Sequence, residues 1–272
     1  MDLNNYSPNT IVTYISGISY FHKILDLKDP SSSPFVKKCL MGVKKKGPKR
    51  VKRKQIEVKT LRKICRVARK CFQSNESLVF QCIATVLFFG LFRISELLGD
   101  KRLGIEPMKL EQVQIIKDKA VISISSYKHS KGEEVNIELL KQRDSMICPV
   151  AKLKKLIKFK GEKKGNLFSI RGSNSISKSK FSQMLKITCK KAGTPQYTSH
   201  CFRIGGANLA AKMGRSDAEI RLLGRWKSNA VNIYLRKADP LVLNSTSRTP
   251  HRTPGCETES SRPRRRCAER QR

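Results

Sequence analysis

Residues 78–98 are apolar on nearly every side, running Leu-Val-Phe-Gln-Cys-Ile-Ala-Thr-Val-Leu-Phe-Phe-Gly-Leu-Phe-Arg-Ile-Ser-Glu-Leu-Leu. A helix of that pattern keeps no face for water, so the stretch predicts a central buried helix. Its most apolar part, residues 78–92, is shorter than a bilayer requires and carries Gln81, which argues against a membrane role. Such a helix needs one-sided elements packed around it.

The flanking sequence supplies them. From 58 to 72, apolar groups recur at Leu61, Ile64, Cys65, Ala68, Cys71 and Phe72, the stripe of a surface helix. Residues 112–116, 120–126 and 134–139 alternate or are β-branched and predict a small antiparallel sheet with turns at 117–119 and 129–132. Cys148-Pro149 opens a helix to Phe159, because proline is tolerated in a first turn. Further helices are expected over 177–192, 199–213, 216–223 and 228–236. Upstream, Ile11, Tyr14, Ile15, Ile18, Phe21 and Leu25 share a helical stripe capped by Ser7 or Asn9, and a shorter helix spans 34–43. The fold class is therefore mainly α with a small antiparallel β-sheet (α+β). The expected organisation is a helical domain over 1–46, a basic linker over 47–56, a main domain over 57–238, and a disordered basic tail over 239–272.

Charge narrows the partner. The chain has 57 Lys and Arg against 21 Asp and Glu, a net charge of +36, which suits a polyanion such as nucleic acid. A ribosomal or chromatin protein that only neutralises phosphates would show the same imbalance. Between Lys37 and Lys54 lie ten basic residues and no acidic one. Lys44, Lys45, Lys46, Lys49, Arg50, Lys52, Arg53 and Lys54 are expected to lie along a phosphate backbone; residues 49–54 also read as a nuclear-localisation signal. The nine cysteines include no C-x-x-C pair, and only four histidines occur, so no zinc site is indicated. Without a signal peptide the expected location is intracellular, in the nucleus.

The chemistry-bearing residues are few. Arg93 sits within the most apolar stretch, where an unpaired guanidinium is costly, and Glu96 is placed to hold it. That pair reads equally well as a structural ion pair. His200 and Arg203 lie one helical turn apart. Two arginines brought to one place by separate helices make a fork for a single phosphodiester. Leu223-Gly224-Arg225-Trp226 follows, then Tyr234, ten residues after the glycine. Trp226 as an ordinary core residue is the plainer reading.

Arg93-Ile94-Ser95-Glu96-Leu97, His200-x-x-Arg203, the 223–226 segment and Tyr234 together resemble the tyrosine recombinase (phage integrase) family, over residues 58–238. Residues 7–46 resemble the last part of that family's helical, SAM-like core-binding domain, so the chain is expected to begin within it. The Gly-Arg-Trp form resembles recombinases of crypton and DIRS mobile elements. The resemblance implies a site-specific recombinase or integrase that cuts and rejoins DNA through a 3′-phosphotyrosyl intermediate. Arg93 and Arg203 would bind the scissile phosphate, Tyr234 would attack it, and His200 would serve proton transfer. Lys131 in the expected turn would protonate the leaving oxygen, with Lys128 as its rival and otherwise a DNA contact. Arg225 or Trp226 would donate to a non-bridging oxygen, where many members carry histidine. No metal or other cofactor is implied, and the partners are double-stranded DNA and other copies of the chain in a tetramer. A binding-only derivative and a type IB topoisomerase-like enzyme are the alternatives.

Overall fold

The computed structural model describes residues 6–46, 54–125, 134–161, 164–170, 175–226 and 235. It divides into two compact units, residues 1–54 and 55–272.

In the first unit, α1 (Pro8–Ile24) starts where Ser7 accepts a hydrogen bond from the Thr10 amide and Pro8 fills the first helical position. A short 3₁₀ turn capped by Asp29 leads to α2 (Pro34–Lys46), which runs three residues beyond the helix expected over 34–43 and carries the first part of the basic run. α1 has no buried residue, and Tyr14, Ile18, Phe21 and Leu25 of its apolar stripe are exposed.

The second unit is built around α4 (Ser74–Phe89), in which every residue from Ser77 to Phe88 is buried. α3 (Val58–Cys71) covers it with Leu61, Ile64, Cys65 and Ala68. Gln81 is reconciled to burial by its partners: its Nε2 donates to Ser77 Oγ at 2.8 Å, and Lys152 Nζ donates to its Oε1 at 2.8 Å. The expected single helix over 78–98 is two. The helix stops at Gly90, Leu91 turns the chain at φ +50°, and α5 (Ile94–Leu98) starts anew. Glu96 drives the restart by accepting the Arg93 amide at 2.9 Å, the capping bond of a helix N-terminus.

Three antiparallel strands follow in the order β1 (Val113–Ile116), β2 (Lys119–Ile124) and β3 (Val135–Leu140). The register pairs Ala120 with Leu139 and Ile122 with Ile137, so these four residues form one buried face. α6 (Pro149–Lys160), α7 (Lys178–Lys191), α8 (Ser199–Lys212) and α9 (Asp217–Leu223) are the other helices among the described residues of the unit, and the helix expected over 228–236 lies outside them apart from Leu235.

α8 lies close against its neighbours because of Gly205 and Gly206. A Cβ at either position would come 2.0 Å from a main-chain oxygen, that of Ile56 or Phe88 respectively. Ile56, expected from the sequence to belong to the linker, is fully buried here and its amide donates to the Cys201 carbonyl at 3.2 Å. No described helix is long and apolar enough to cross a membrane.

Candidate active site

The end of α4, the start of α5, the first turns of α8 and the segment after α9 meet in a cluster of charged side chains. Its centre is Glu96, whose carboxylate is fully buried. Arg93 Nη1 donates to Glu96 Oε1 at 2.8 Å, and Arg225 Nη2 donates to Oε2 at 2.9 Å. Burial alone would push the Glu96 carboxyl upward. Arg225, the Arg93 amide, Arg203 and Arg93 outweigh it and hold the group below its ordinary value, so it is ionised at neutral pH.

Arg203 is 2% exposed, and its guanidinium bonds the carbonyls of Leu91 and Gly224. One face of it lies 4.2 Å from the centre of the Trp226 ring. Gly224 makes that stacking possible, since the indole occupies the space a Cβ there would need, with a ring carbon at 1.6 Å. Trp226 therefore does pack, half-buried, against the small apolar cluster of Leu91, Ala207 and Ile220, while its ring also covers a guanidinium. Arg225 is turned inward by a left-handed backbone (φ +56°), and its side chain is 5% exposed. His200 lies in the first turn of α8, half-buried, one turn before Arg203.

Among the described residues, three guanidinium groups gather around this one carboxylate in a largely buried setting. The arrangement suits an anion with several acceptor oxygens. Among the described residues no group of three or more histidine, cysteine or acidic side chains is arranged to hold a metal ion.

Of the residues named from sequence, the structure brings Arg93, Glu96, Arg203, Arg225 and Trp226 together. Lys44 and Lys45 are exposed on α2, which ends at Lys46, and Lys54 is exposed outside any regular element. Tyr234, Lys128, Lys131, Lys49, Arg50, Lys52 and Arg53 lie outside the described residues. Sequence reasoning passed over Leu91, whose carbonyl accepts from both Arg203 and Arg225, and Phe92, whose ring lies 4.9 Å from the Arg225 guanidinium. Nothing in an apolar run marks one carbonyl as an acceptor; the glycine before Leu91 was the sole local cue.

The sequence matches no protein-family model and no curated protein. Solved structures are similar to it over most of its length. XerA recombinase superposes with a TM-score of 0.55 at 17% identity, covering 88% of this chain and 75% of that one. The XerH site-specific recombinase bound to difH substrate gives 0.54 at 14% identity, with 90% and 71% covered. The Tn1549 transposon integrase in complex with transposon right end DNA gives 0.59 at 15% identity, with 89% and 79% covered. What the likeness establishes is architecture: the chain has the tyrosine recombinase fold.

Proposed function

We propose that this chain binds double-stranded DNA and cuts and rejoins its strands as a tyrosine recombinase, with Tyr234 as nucleophile. The observation that carries the reading is the Arg93–Glu96–Arg225 array beside Arg203, three guanidinium groups brought by separate elements around one buried carboxylate. DNA as the partner is supported by the net charge of +36 and by the DNA named with the XerH and Tn1549 structures.

In this reading Arg93 and Arg203 hold the non-bridging oxygens of one phosphodiester and stabilise the charge that grows on them in the transition state. The Tyr234 hydroxyl oxygen forms a bond to phosphorus as the bond to the 5′ oxygen breaks, leaving a 3′-phosphotyrosyl ester and a 5′-hydroxyl. His200 takes part in moving the tyrosine proton, and Lys131 or Lys128 gives a proton to the leaving oxygen. Leu235, the residue after Tyr234, packs on the same small cluster as Leu91 and Trp226. The segment 57–238 is the catalytic domain in this reading, 1–46 a DNA-clamping domain, and exchange of strands between two duplexes calls for a tetramer.

Incubation with a pool of nicked duplexes of randomised sequence, followed by a denaturing gel, tests the proposal. A covalent protein–DNA adduct should form with the wild type and vanish in Tyr234→Phe while DNA binding persists. An adduct that survives the substitution rules out Tyr234.

A further inference from the structure

Arg225 shares an acceptor with each of the two arginines assigned to the phosphate. Its Nη2 donates to Glu96 Oε2 at 2.9 Å, and Glu96 also holds Arg93. The same nitrogen donates to the Leu91 carbonyl at 3.3 Å, and that carbonyl also accepts from Arg203. Nη1 donates to the Leu223 carbonyl at 3.1 Å, which fastens the group to its own segment. Leu91 and Arg225, at the two ends of one of these bonds, are both non-glycine residues in the left-handed region, at φ +50° and +56°. That conformation is unfavourable for a residue with a Cβ, so the surrounding contacts must hold them there.

We infer that Arg225 is a positioning residue: through Glu96 and the Leu91 carbonyl it sets the spacing of the Arg93 and Arg203 guanidinium groups so that both close on a single phosphate. The inference rests on the proposed function for the identity of that phosphate as DNA. A guanidinium is suited to the task because its planar fork reaches several acceptors at once, which a lysine ammonium on a flexible stem does not.

Two substitutions separate this role from a simple contribution of charge. If only charge mattered, Arg225→Lys would change little, and Glu96→Gln, by removing a negative group, would tighten anion binding. If Arg225 sets the spacing, both weaken it. Trp226 is the only tryptophan and lies against Arg203, so its fluorescence reports the site. The full chain is titrated with inorganic phosphate at constant ionic strength. Arg225→Lys and Glu96→Gln are each expected to raise the phosphate Kd about ten-fold. The double variant should be no worse than the poorer single one, because both act through one connection.

In single-turnover cleavage of nicked DNA the loss should fall on the rate at saturating DNA and not on DNA affinity. The inference is overturned by an Arg225→Lys variant that behaves as wild type, by tighter phosphate binding in Glu96→Gln, by losses that multiply, or by a wild type that does not respond to phosphate. Cooperative thermal unfolding checks each variant, and Arg225→Lys alone decides if Glu96→Gln does not fold. Arg225-dependent phosphate binding without any Tyr234 adduct would sink the proposed function and leave the tie standing. An adduct formed at full rate by Arg225→Lys would do the reverse.

Discussion

Replacing Gly206 by alanine sets two effects of opposite sign against each other. Glycine inside a helix is disfavoured relative to alanine by about 1 kcal/mol, so propensity alone predicts a more stable protein. The structure predicts the opposite. A Cβ at 206 would sit 2.0 Å from the Phe88 carbonyl oxygen and 2.6 Å from Leu91 Cδ2, where ordinary contact begins at 3.4 Å. The main-chain oxygen cannot rotate away, so α8 must part from the end of α4 by on the order of 1 Å, an overpacking cost of about 3 kcal/mol. Arg203 lies on the same face of α8 and bonds the Leu91 carbonyl, so the movement also stretches a charge-assisted hydrogen bond of about 1.5–3 kcal/mol. Subtracting the helical gain leaves a net loss of about 2 kcal/mol if that bond survives and about 5 kcal/mol if it is lost, or roughly 4–20 °C in Tm for a domain of this size. Differential scanning calorimetry reads it directly. Gly17, on α1, would meet nothing within 4 Å if it gained a methyl group, so its alanine variant is the control and should be neutral or stabilising. An unchanged or higher Tm for Gly206→Ala would refute the close-approach argument.

The folded-state value of Glu96 lies below the ordinary one, so the stability it contributes is present above about pH 4.5 and is lost as pH falls through the lower folded value. Between pH 5 and 3 the wild-type Tm should therefore fall more steeply than that of Glu96→Gln, and parallel curves would contradict the buried array. Arg203→Ala should lower cleavage by about 10²–10³-fold, as expected for removal of one transition-state donor, in the nicked-duplex assay. Burial pushes the Cys65 thiol up to about 12 and raises Cys82 further, whereas Cys39 is exposed. Among these three, iodoacetamide should label Cys39 in the native protein and reach Cys65 and Cys82 only on unfolding, as peptide mass mapping would show.

Regular elements were legible where periodicity was unbroken. The helices expected over 177–192 and 199–213 are observed as Lys178–Lys191 and Ser199–Lys212, and the three strands fall within two residues of expectation. The break inside 78–98 was not legible, because hydropathy does not change there. What interrupts the helix is a left-handed Leu91 and an N-terminus begun at Arg93 by a glutamate three residues on. Arg93 with Glu96 could be read locally, since the two are one turn apart. That Arg225 would turn inward to the same carboxylate could not, because a side chain's direction at the end of α9 depends on a backbone angle that arginine seldom adopts.

That unusual angle helps explain why the array holds together at all. Three guanidinium groups repel one another, and a buried carboxylate with buried partners repays its desolvation only when its geometry is good and its oxygens are satisfied. Here both Glu96 oxygens are engaged, Oε1 by Arg93 and Oε2 by the Arg93 amide and Arg225. Arg203 is held by two carbonyls and an indole face. Dividing the cations between a carboxylate, carbonyl dipoles and a π-face holds them in fixed positions. In the proposed function a phosphate would meet guanidinium groups already held in place, which would spare the reorganisation that flexible surface arginines require.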